Sequence, residues 1–97
     1  MGMSMTAKQS ETYQRLTDAL YARQGGAEGM SKPNTYFIEQ PKNDRDYGTP
    51  PHVNMRCEVL RITEDGKHCI EVGWLSIKPD GTYTCPAVLQ ARLLGEA

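Results

Sequence analysis

With 97 residues, 11 basic and 12 acidic side chains and a formal charge of −1, the chain has the size of a single domain. So balanced a charge argues against a dedicated duplex-binding domain, which needs a basic excess, and against a strongly acidic nucleic-acid mimic. It contains no run of about 18 apolar residues, so no membrane-spanning helix is expected.

The aliphatic residues are unevenly placed. Leu, Ile, Val and Phe total 16, and 12 of them lie in residues 53–97, so the core is expected in the C-terminal half. The first residues, MGMSMTAKQSETYQ, lack the basic start and apolar stretch of a signal peptide. Three cysteines make a poor disulfide framework. Cys57, Cys69 and Cys85 all fall in expected strands, where a free thiol commonly serves as a small buried hydrophobe. A cytoplasmic location follows as the expectation.

Residues 6–23 are predicted to form a helix. Thr6 and Gln9 have the spacing of a capping box, in which each side chain satisfies the other's backbone N–H. Tyr13, Leu16 and Leu20 then form one narrow apolar stripe. A helix of this length is marginal alone in water, so it needs a surface to dock on. The glycine-rich segment GGAEGMSKPN reads as a flexible linker, with Met30 as an alternative start. The expected division is a helix and linker over 1–29 and a small α+β domain over 30–97, within one domain overall.

Residues 35–40, TYFIEQ, are strand-like and expected at the sheet edge, beside 55–63. Residues 41–52, PKNDRDYGTPPH, carry three prolines and form a polar loop, since proline cannot serve a central strand.

Residues 55–85 organise the chain as a three-stranded antiparallel meander. A two-residue type I′ turn at Asp65-Gly66 would place Ile62 opposite Cys69, Leu60 opposite Glu71, Val59 opposite Val72, and Cys57 opposite Trp74. One face then gathers Met55, Cys57, Val59, Ile70, Val72 and Trp74, interrupted by Arg61. Thr63 and His68 lie at its turn end. The other face mixes Leu60, Ile62, Cys69, Leu75, Ile77, Tyr83 and Cys85 with Arg56, Glu58 and Glu71. The second turn, Lys78 to Thr82, uses Pro79 to preset φ and Gly81 to close the loop. Pro86 to Leu94 reads as a short helix capped by Thr84 or Cys85. Its Val88, Leu89, Ala91 and Leu93 are expected against the apolar sheet face near Trp74.

No catalytic or cofactor motif is apparent. His52, His68, Cys57, Cys69 and Cys85 are metal-ligand types, but their spacing fits no familiar zinc pattern, and adjacent His68 and Cys69 point to opposite faces of a strand. No cysteine or serine has a base and an orienting third group beside it. Gly25, Gly26 and Gly29 match a phosphate loop only in composition. Neither cofactor nor metal is expected, and the chain is read as non-enzymatic.

The fold class is therefore α+β: a three- to four-stranded antiparallel sheet with an N-terminal and a C-terminal helix. The expected function is a small protein-interaction module, an accessory or inhibitory factor of a phage or other mobile element, homodimeric, and partnered by another protein. Lys42, Arg45 and Tyr47 of the long loop, with Arg61, are the candidate partner-binding residues, because Arg and Tyr are enriched in binding hot spots. The alternative is a single-stranded nucleic-acid binder, in which sheet aromatics stack on bases beside basic residues. Tyr36, Arg56, Lys78 and Tyr83 are its candidates.

Overall fold

A computed structural model describes residues 5–41 and 54–94. In chain order it contains α1 (Ala7–Arg23), the single turn α2 (Gly26–Gly29), β1 (Tyr36–Glu39), β2 (Met55–Ile62), β3 (Cys69–Ile77), β4 (Tyr83–Thr84) and α3 (Ala87–Leu93). The four strands form one antiparallel sheet in the order β1-β2-β3-β4. The expected α+β architecture is present, with the predicted edge strand, β1, beside β2.

The capping box at the start of α1 is complete. The Thr6 amide donates to Gln9 Oε1 at 2.9 Å, and the Gln9 amide donates to Thr6 Oγ1 at 3.0 Å. The same two side chains reach across to the sheet. Thr6 Oγ1 donates to the Pro79 carbonyl at 2.7 Å, and Gln9 Nε2 donates to the Ile77 carbonyl at 2.9 Å. One turn further on, Thr12 Oγ1 donates to the Gly81 carbonyl at 2.7 Å. Leu16 and Leu20 of the predicted stripe are buried and Tyr13 packs at their margin. So α1 docks through polar groups at one end and apolar groups at the other.

The segment read as a flexible linker instead carries α2 and a set of fixing bonds. Thr35 Oγ1 donates to the Gly29 carbonyl at 2.8 Å, and Gly29 is itself buried. Two main-chain bonds, from Asn34 to Ile62 at 2.8 Å and from Ile62 to Thr35 at 2.9 Å, lead the chain into β1.

The β2–β3 hairpin departs from the expected register in one place. Ile62 faces Cys69 and Leu60 faces Glu71 as predicted, but the register shifts between Val59 and Leu60. Beyond that point Val59 faces Gly73, Glu58 faces Trp74 and Cys57 faces Leu75. Such a bulge sends every later side chain of the strand to the opposite face. Leu75 and Ile77 therefore join Met55, Cys57 and Val59 in the core, all fully buried, while Trp74 turns outward. Gly73 sits at the bulge for a steric reason: a Cβ there would lie 2.4 Å from Cγ of Pro86. The turn also differs from type I′, which needs positive φ at both central residues. Gly66 has φ 74°, but Asp65 does not have positive φ. A wider loop closes between Thr63 and His68, whose main chains bond at 2.9 Å. The β3–β4 turn forms as expected, with Gly81 at φ 92°.

Both helices lie on one side of the sheet. Leu16 and Leu20 of α1 and the fully buried Leu89 of α3 share one core with Ile38, Met55, Cys57, Val59, Leu75 and Ile77. The N-cap of α3 is Pro86, with no side-chain cap, in place of Thr84 or Cys85. Val88, expected in the core, is 50% exposed; Leu89 takes that role.

Candidate functional site

Placing both helices on one layer leaves Arg56 and Trp74 exposed on the other face of the sheet, while Ile62 at its far end is buried. Residues paired directly across strands share a face, so the register defines this surface. One row runs Glu39, Glu58, Trp74; the next runs Phe37, Leu60, Glu71. A third crosses Arg56, Ser76 and Thr84. The result is an apolar group of Phe37, Leu60 and Trp74 among three carboxylates and one guanidinium.

Trp74 and Arg56 form the centre of this face. The Arg56 guanidinium lies 4.6 Å from the centroid of the Trp74 ring. A cation over an indole at an exposed site contributes roughly 0.5–1 kcal/mol. Trp74 is 37% exposed although it is the chain's single tryptophan and the sequence placed it in the core. The clue was available: Gly73, a glycine inside an apolar strand run, is a common mark of a bulge.

The predicted partner-binding set is divided. Lys42, Arg45 and Tyr47 lie outside the described residues. Arg61 falls on the helix-bearing side, opposite Tyr36 and Ile70, where Arg61 Nη1 donates to Asn34 Oδ1 at 2.8 Å. It is half-buried and held by its neighbours.

The nucleic-acid set is not gathered into one surface. Tyr36 lies on the helix side beneath the Arg92 guanidinium, 5.2 Å from the ring centroid. Tyr83 packs against the core and donates to Gln90 Oε1 at 3.4 Å. Lys78 stands exposed at the start of the β3–β4 turn. Only Arg56 lies on the open face, whose carboxylates outnumber it three to one.

Among the described residues, no group of three His, Cys, Asp or Glu could hold a metal ion, and no helix is long and apolar enough to cross a membrane. Cys57 is buried, Cys69 exposed and Cys85 intermediate. Burial pushes the Cys85 thiol above its ordinary pKa, and its S–H donates to Gln90 Oε1 at 3.4 Å. That thiol is therefore protonated at neutral pH, which suits a packing role more than a nucleophile.

Comparison with known protein families, with curated proteins and with solved structures gives no match to this chain.

Proposed function

We propose that this chain is a small non-enzymatic protein-interaction module that contacts its partner through the open face of the sheet. The observation that carries the reading is Trp74, exposed beneath Arg56 on the sheet face away from the two helices. Tryptophan and arginine are enriched among residues that dominate binding energy, and rigid aromatics lose little entropy on contact. Charge selects the partner. Exposed Glu71 lies beside Leu60 on the face that carries Trp74, so the face suits a protein surface that offers a basic and an apolar contact.

The test is a nuclease-treated pull-down with the parent chain, Trp74→Ala, Glu71→Lys and Val88→Ala, the last altering an exposed residue of α3. A partner with a basic contact surface, kept by Val88→Ala and lost by the other two, supports the reading. Retention by Trp74→Ala overturns it. A stoichiometric dimer in light scattering that Trp74→Ala dissolves would assign the face to a second copy instead.

A further inference from the structure

Away from the open face, on the helix side of the molecule, a cleft of about 180 Å³ is lined by Gln24, Lys32, Asn34, Thr35 and Arg92, among others. Its side chains present mainly donors once the internal bonds are assigned, the Thr35 hydroxyl oxygen excepted. The Gln24 amide is spent on the main chain of Tyr36, at 3.0 Å to its carbonyl and 2.7 Å from its N–H. The Thr35 hydroxyl proton goes to the Gly29 carbonyl. Asn34 Oδ1 accepts from Arg61 Nη1 at 2.8 Å. Arginine has only donors, so this contact fixes the amide oxygen toward Arg61 and leaves the Asn34 NH₂ to donate elsewhere. Arg92 rests over the Tyr36 ring, an arrangement that leaves its in-plane N–H groups free of the stacking contact. Lys32 adds an exposed ammonium.

Charge sharpens the pattern. Lys32 and Arg92 line the cleft, Arg61 stands directly behind Asn34, and no carboxylate is among the lining residues. In a chain whose formal charge is −1, the cleft brings two cations together with a third behind Asn34, and none of the described residues lining it is acidic. Asn34 is also the one non-glycine residue with positive φ among the described residues, at 66°. Asparagine tolerates that conformation better than most residues, and it is held here by the Ile62 carbonyl on one side and Arg61 on the other. Donors arriving from the segment before β1 and from α3, with two full charges and little to accept a proton, match an anion that offers oxygens in several directions.

We propose that Lys32, Asn34 and Arg92 form a binding site for the phosphate group of a small anionic ligand. Arg61 is a positioning residue, acting through the Asn34 amide. The site is independent of the open sheet face and of what that face contacts.

The experiment is a ¹H–¹⁵N titration of the full chain with inorganic phosphate and then pyrophosphate, against sodium chloride at matched ionic strength. The expected result is saturable shifts centred on Lys32, Asn34, Thr35 and Arg92, with Glu58 and Trp74 unmoved. Lys32→Gln alters an exposed side chain and should weaken pyrophosphate binding about tenfold, as should Arg92→Gln. Arg56→Gln, on the opposite layer, should leave it unchanged. Shifts that chloride reproduces, or affinity that Lys32→Gln does not alter, would overturn the site. Vesicles containing phosphatidic acid form a second arm: binding to them without pyrophosphate binding would assign the cations to a lipid surface and overturn the small-ligand proposal.

Discussion

The side-chain amide of Gln24 bonds both main-chain polar groups of Tyr36, accepting from its N–H at 2.7 Å and donating to its carbonyl at 3.0 Å. Gln24 thus stands where a neighbouring strand would stand, beside the outer edge of β1. An open edge is a template for pairing with another chain. Gln24→Ala is expected to lower stability by about 1–2 kcal/mol and to raise concentration-dependent association. Urea unfolding and light scattering check the two effects. A variant as stable and as dispersed as the parent would show that the contact has no protective role.

The bulge makes a sharp distinction between adjacent residues. Leu75→Ala empties a fully buried position and should cost about 2–5 kcal/mol. Trp74→Ala removes a larger side chain from an exposed position and should cost less than about 1 kcal/mol, mainly the contact with Arg56. Acrylamide should quench the fluorescence of this single tryptophan readily in the native protein. The register without a bulge predicts the reverse order of costs, so chemical denaturation of the two variants decides between them.

Gly73→Ala forces a Cβ against the Pro86 ring, and overpacking of this kind costs about 1–3 kcal/mol. The cause can be isolated with a double-mutant cycle. In a Pro86→Ala background, where Cγ is absent, the cost of Gly73→Ala should shrink. Equal costs in both backgrounds would mean that backbone conformation, not the proline contact, keeps glycine at this position.

Two turn carboxylates contribute to the acid limb of stability. The Thr63 hydroxyl, and then the Lys67 amide, hold Asp65 below its ordinary pKa of 3.8. The hydroxyl and amide of Thr82, with Lys78 nearby, do the same for Asp80. A carboxyl whose pKa is depressed on folding binds its proton more readily when unfolded. Its contribution is therefore present above pH 3.8 and lost as pH falls through the lower folded value. Asp65→Asn and Asp80→Asn should flatten the loss of stability in that range, measured by denaturation across pH.

The three thiols should separate by rate. Exposed Cys69 should react first with iodoacetamide and Cys85 more slowly, its thiolate disfavoured by burial. Cys57 should react only after unfolding. Mass spectrometry of a labelling time course gives the order directly, and early labelling of Cys57 would contradict the core described above.

What could be read from sequence was local. Thr6 and Gln9 announce their cap because both partners lie within one helical turn, and Pro79 to Gly81 announce a loop by their own backbone preferences. The face assignment failed beyond Val59 because a single inserted residue inverts the parity of everything after it, and the contact that demands glycine at 73, with Pro86, lies 13 positions further along. The docking of α1 escaped for a different reason. Its polar contacts end on main-chain carbonyls of Ile77, Pro79 and Gly81, which every residue possesses and no sequence pattern marks. The basic cleft was hidden likewise, since Lys32, Arg61 and Arg92 come together only through the fold.

The ties between α1 and the β3–β4 turn also order events in time. Thr6, Gln9 and Thr12 reach acceptors 68 to 73 residues further along the chain. On a ribosome, α1 emerges well before the carbonyls it needs are made. Until then a marginal amphipathic helix has nothing to rest on, while the meander can close through short-range pairings. The nascent chain should therefore hold its N-terminal segment unsettled, exposing Leu16 and Leu20, until the last strand leaves the exit tunnel. In a cell, that interval is when a chaperone would find this protein.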